Sequence, residues 1–120
     1  MEDLKEVGKD IIVFTAKKDD REVALKTLVG LGKDSELIET TDKVDLAFQL
    51  VVKHKPKVVI VEGIHPPEKI KEVIDGVYEA MGACPDVATE IILCGATNSF
   101  KGNFAIRQIL TLYEALPFLG

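Results

Sequence analysis

The sequence predicts an α/β domain, a three-layer α/β/α sandwich around a parallel sheet of four or five strands. Three observations predict it. Ile11-Ile12-Val13-Phe14, Val58-Val59-Ile60-Val61 and Ile91-Ile92-Leu93-Cys94 are uninterrupted apolar runs. A strand with one wet face alternates apolar and polar residues, so continuous runs belong to strands covered on both faces. Between the runs lie stretches with helical spacing of apolar residues, and the longer interval, from the first run to the second, also holds a more polar strand. Strands joined by single helices form parallel sheets with right-handed crossovers, and the expected strand order is 2-1-3-4 with helices on both faces.

Each element follows from its residues. Met1 to Lys9 is a charged leader, and residues 10–116 form the core of a single domain. The first strand spans Asp10 to Thr15. Asp19 or Asp20 can cap the first helix, which carries Val23, Ala24, Thr27, Leu28 and Leu31 on one face and ends at Gly30 or Gly32. Ser35 to Thr40 is a more polar strand, suited to a sheet edge. Thr41 or Asp42 starts a second helix with Val44, Ala47, Phe48, Val51 and Val52 inward. The third strand ends at Glu62. Pro66 and Pro67, which fix φ and donate nothing, open the third helix. That helix runs to about Gly82, with Ile70, Val73, Ile74, Val77, Tyr78 and Met81 on its buried side. After the turn Cys84-Pro85-Asp86 comes the fourth strand. A loop from Gly95 to Gly102 leads to a last helix, Phe104 to Leu116, and residues 117–120 are an apolar tail.

Composition narrows the function. The net charge is −5 and the pI about 5.0, which disfavours nucleic acid, since phosphate neutralisation needs a basic surface. The chain has no Trp and two Tyr, so no aromatic platform for bases stands out. No apolar run approaches the roughly 20 residues of a membrane span, and the start lacks the apolar core of a signal peptide. A cytoplasmic protein is expected. Cys84 and Cys94 are expected as free thiols in a reducing compartment. Two cysteines and two histidines lie at spacings that match no metal motif, so neither metal nor cofactor is expected.

In parallel sheets ligands bind at the carboxyl ends of the strands. That edge gathers Thr15, Lys17, Lys18, Glu62, His65, Thr97, Asn98, Ser99 and Lys101, the candidate ligand-binding residues. No catalytic residue is assigned. Glu62 and His65 share a loop, but a pair of prolines follows His65, which suits a plain loop histidine. Glu62 is expected within salt-bridge range of Lys17 or Lys18; alone in an apolar pocket its pKa would rise. Gly95-Ala96-Thr97-Asn98-Ser99-Phe100-Lys101-Gly102 has the strand-to-helix context of a phosphate-binding loop. Phe100 stands where the second glycine would be, and Gly102 where the magnesium-binding hydroxyl would be. A nucleoside triphosphatase is therefore disfavoured.

The layout resembles a response-regulator receiver domain over roughly residues 10 to 112. Val58-Val59-Ile60-Val61-Glu62 followed by Pro66 resembles that family's third strand, with its phospho-acceptor and the proline four residues on. The resemblance implies a flavodoxin-like fold and a regulatory role. The family ends its first strand with an acidic pair that holds magnesium, and here Thr15-Ala16 stands there. The acceptor aspartate is Glu62, one methylene longer. The hydroxyl after the fourth strand falls on Gly95, and the fifth strand and its lysine are not evident. Two readings result. One is a non-catalytic receiver-like interaction domain, with Glu62 supplying a permanent charge. The other is a binding protein or enzyme for a small anionic or phosphorylated ligand at the same edge. The expected partner is a protein or a second copy of the chain. A homodimer is expected because the fourth strand would otherwise leave an apolar edge bare.

Overall fold

The computed structural model describes residues 9–62, 65–95, 107–109, 112, 114 and 117, with backbone alone at residues 18, 67 and 107–109. Five parallel strands form one sheet: β1 (Ile11–Phe14), β2 (Ile38–Thr41), β3 (Val58–Glu62), β4 (Glu90–Cys94) and β5 (Arg107–Ile109). Their order is β2-β1-β3-β4-β5, which extends the expected 2-1-3-4 by one strand. Among the described residues three α-helices lie between β1 and β4: α1 (Lys18–Gly30), α2 (Ala47–His54) and α3 (Pro67–Ala83).

β3 is the hub. It pairs with β1 from Val58↔Ile11 to Val61↔Phe14 and with β4 from Val58↔Glu90 to Glu62↔Cys94. Its residues 58–61 are buried to 1% exposure or less, because both faces are covered. The alternation of side chains sorts them into two cores. Ile11, Val13, Val58, Ile60 and Ile92 pack with Ala24 and Leu28 of α1. Ile12, Phe14, Val59, Val61 and Leu93 pack with α2 and α3. At the amino-terminal edge the Asp10 carbonyl accepts from Lys57 N–H at 2.8 Å, and the Lys57 carbonyl accepts from Glu90 N–H at 2.9 Å. The buried Thr89 hydroxyl donates to the Pro56 carbonyl at 2.7 Å. These bonds fix the register of three strands at once.

Several boundaries depart from the sequence expectation. Lys17 holds the N-cap position of α1 with no side-chain cap, and Asp19 and Asp20 lie in the first turn. Carboxylates there complement the helix dipole without capping. Ser35–Leu37 forms a 3-10 turn capped by Asp34, so β2 starts later, at Ile38. Asp34 Oδ1 accepts from Glu36 N–H at 3.0 Å, which satisfies the turn locally. Likewise Val44–Leu46 is a 3-10 turn, and α2 proper begins at Ala47. Lys55 ends α2 in the left-handed region at φ 49, its N–H donating to the Val51 carbonyl at 2.8 Å.

The expected last helix, Phe104 to Leu116, is corrected. Residues 107–109 inside it form β5, paired with β4 from Ile92↔Arg107 to Cys94↔Ile109. The spacing of Ile106, Ile109 and Leu110 suits a helix, but the open hydrogen-bonding edge of β4 outweighs that local periodicity. β5 also removes the reason for expecting a homodimer, since β4 is paired on both sides. Residues 1–8 of the leader and residues 96–106 lie outside the described residues.

α2 and α3 cross closely because α3 has glycine at the contact. A Cβ on Gly76 would lie 3.0 Å from both Ala47 Cβ and Phe48 N. Backbone cannot yield there unless the helices part. Glycine costs about 1 kcal/mol in a helix relative to alanine, whereas overpacking costs about 1–3 kcal/mol. Gly76→Val is therefore expected to lower stability by about 1–3 kcal/mol in urea unfolding. Gly82→Ala, where nothing lies within 4 Å, is expected to raise it by about 0.4–1 kcal/mol.

Candidate functional site

Strand alternation builds the site. The α1 face carries Ile11 and Val13 of β1, Val58 and Ile60 of β3, and Ile92 of β4. Two residues further along each strand are Thr15, Glu62 and Cys94, which continue that face to the carboxyl edge. The register sets Glu62 opposite Cys94, and Phe14↔Val61 sets Thr15 opposite Glu62.

Glu62 is half-buried and turns back across β1: its Oε1 accepts from Ala16 N–H at 2.8 Å. The Ala16 amide lies just past the last ladder residue of β1 and gains a partner from this bond. Burial pushes the Glu62 pKa above its ordinary value, the Ala16 amide opposes that, and the nearby Asp20 carboxyl adds to it. No ion pair joins Glu62 to Lys17 among the described residues. Lys17 is exposed at the N-cap of α1, where its ammonium keeps its hydration and chain entropy. Of the two expected partners, Lys17 makes no ion pair with Glu62, whose Oε1 is bonded to backbone, and the Lys18 side chain lies outside the described residues.

His65 is buried at 6% exposure. Its backbone N–H donates to the Glu62 carbonyl at 3.2 Å. Burial lowers the His65 pKa; the Phe14 and Thr15 backbone and Asp42 oppose this, and Lys69 reinforces it. The imidazole is neutral at physiological pH, and its buried Nε2 has no hydrogen-bond partner among the described residues. Thr15 is fully buried, its N–H donating to the Thr41 carbonyl at 2.8 Å and its Oγ1 without a partner among the described residues. Cys94 is pushed up to about 11 by burial, then by Glu62 and Glu114. It is a protonated thiol at neutral pH and a poor nucleophile.

The structure therefore brings Thr15, Glu62 and His65 together. Thr97, Asn98, Ser99 and Lys101 lie outside the described residues. The sequence reading missed the Ala16 amide, Asp20 and Cys94 as members of the site. Asp20 carried a usable signal, since the first turn of a helix after β1 opens onto the carboxyl edge. Among the described residues no group of three or more histidine, cysteine, aspartate or glutamate side chains could hold a metal ion. What the edge offers is a desolvated carboxylate tied to backbone, a neutral imidazole and a second carboxylate. No helix among the described residues is long and apolar enough to cross a membrane.

No protein-family model and no curated protein matches the chain. Among solved structures it is similar to a two-component transcriptional regulator AraC from Clostridium phytofermentans ISDg. The TM-score is 0.62 at 19% identity, over 92% of this chain and 87% of that chain. The likeness shows the fold, a receiver-like α/β domain of flavodoxin-like architecture.

Two outcomes follow from the site. A carboxyl whose folded pKa is raised keeps its proton in the native state at pH values where the unfolded chain has lost it. Its contribution is then present below the ordinary value of 4.5 and is lost as pH rises through the folded pKa. Glu62→Gln keeps an oxygen for the Ala16 amide and cannot ionise. Its melting temperature relative to the native protein is expected to rise from about pH 4 to pH 7 and to stay higher at neutral pH. Thr15→Val removes a buried hydroxyl that has no partner among the described residues and is expected to stabilise the fold by about 1–3 kcal/mol in urea unfolding.

Proposed function

We propose that this chain is a non-catalytic, receiver-like regulatory domain that acts through contact with another protein and transfers no phosphoryl group. The observation that carries this reading is the state of Glu62. In the receiver resemblance this position is the phospho-acceptor, which must present a free carboxylate oxygen beside a magnesium ion. Here Oε1 is engaged by the Ala16 amide at 2.8 Å. Thr15 and Ala16 stand where the resemblance puts the magnesium-binding acidic pair. Magnesium prefers an octahedral oxygen shell built on carboxylates and waters, and a buried threonine and an alanine supply no carboxylate.

Glu62 in this reading is a fixed structural carboxylate that closes the β1–β3 edge. Asp20 beside it places a second negative group against any anionic ligand, which favours an interaction domain over a binder of phosphorylated metabolites. A cytoplasmic setting belongs to the same proposal, in keeping with the free thiols of Cys84 and Cys94.

Incubation with acetyl phosphate and magnesium, followed by intact-mass measurement, tests the reading. The expected outcome is an unchanged mass. A phosphoryl adduct that maps to Glu62 and disappears in Glu62→Gln would contradict it.

A further inference from the structure

The surface between α2 and α3 carries chemistry that the sheet edge does not use. Beside the close crossing at Gly76 the two helices leave an open groove of about 420 Å³. Its floor is apolar: Val44 and Ala47 are buried, and Phe48 is half-buried. Its rim carries Asp45, Glu68, Glu72, Asp75 and Glu79, all exposed, and a lysine, Lys71. Lys71 Nζ is already 2.7 Å from Asp75 Oδ2.

The four α3 carboxylates recur at i, i+4, i+7 and i+11. They form one line along the helix, about 16 Å long at the helical rise of about 1.5 Å per residue. Like charges at these spacings repel and weaken a helix. Lys71 relieves that repulsion at Asp75 and leaves Glu68, Glu72 and Glu79 facing outward around an apolar floor.

We infer that this groove docks a basic amphipathic helix of a partner protein. An apolar side chain of that helix seats over Phe48, and its lysines or arginines face the α3 carboxylates. Charge complementarity selects the occupant. Cations on a second helix repeat at the same i, i+4, i+7 spacing as the carboxylate line, so one helix laid along α3 meets several of them at once. The rim repels nucleic acid and anionic lipid surfaces. The net charge of −5 speeds the approach of a cationic segment and makes binding salt-dependent. This inference names the partner chemistry for the interaction reading and rests on that reading only in taking the partner to be a protein. A phosphoryl adduct at Glu62 would remove that reading and leave the groove untouched.

The test uses a labelled leucine–lysine peptide of about 14 residues patterned as an amphipathic helix. Binding to the full chain is followed by fluorescence anisotropy and by amide chemical-shift mapping. Shift changes are expected along α2 and α3 around Phe48, Glu72 and Gly76. The double reversal Glu72→Lys with Glu79→Lys is expected to weaken binding about tenfold or more. Glu22→Lys with Glu36→Lys makes the same charge change on exposed positions elsewhere and is expected to weaken it less than about twofold. Equal losses in the two double variants, shift changes centred away from the groove, or no binding at about 0.1 M salt would overturn the inference.

Discussion

The structure depends on a constraint at β3. Its four apolar residues, Val58 to Val61, must be covered on both faces and hydrogen-bonded on both edges. Each such side chain contributes roughly 1.5–3 kcal/mol when fully buried, but unpaired backbone at the same depth would offset that gain. β1 and β4 supply the ladders, α1 supplies one face, and α2 with α3 supplies the other. The remaining elements follow from these demands. β2 and β5 satisfy the outer edges of β1 and β4, and the bonds at Asp10, Lys57 and Thr89 lock the register from the amino-terminal side.

The same constraint makes the candidate site. A strand buried this completely delivers its last residue, Glu62, into a partly desolvated position. A carboxylate there needs a hydrogen-bond donor, and the chain supplies the Ala16 amide at 2.8 Å. Because β1 and β3 are neighbours in exact register, that bond joins the ends of two strands and the approach to α1. That bond engages one oxygen of the carboxylate at the sheet edge. In the proposed reading, contact with a partner falls to the surface, where exposed carboxylates along α3 flank a groove floored by Val44, Ala47 and Phe48.

Much of the fold was legible because burial on two faces leaves an unmistakable mark. Ile11 to Phe14, Val58 to Val61 and Ile91 to Cys94 announced three strands, and the prolines at 66 and 67 marked the start of α3. β5 was not legible. Arg107-Gln108-Ile109 is short and mostly polar, and its neighbours Ile106 and Leu110 share helical spacing with Ile109. Its strand state depends on pairing with β4, a contact distant in sequence. At the site, Thr15, Glu62 and His65 could be read from their places after strands. The backbone partner of Glu62 could not: opposite charge pointed to Lys17 or Lys18, whereas the Ala16 bond uses a backbone amide, which every residue but proline carries. Asp20 looked like a helix cap, and only the packing of α1 against the sheet sets it beside Glu62.

The central claim is that Glu62 is a desolvated, backbone-tied carboxylate and not an open reactive group. A carbon-detected NMR titration of its side chain, with the Ala16 amide proton followed in the same samples, tests this most directly. The Glu62 midpoint is expected above the ordinary 4.5, with an Ala16 amide shift that follows the same midpoint. A midpoint at or below 4.5, with an Ala16 amide indifferent to it, would mean that Glu62 is an open, solvated carboxylate.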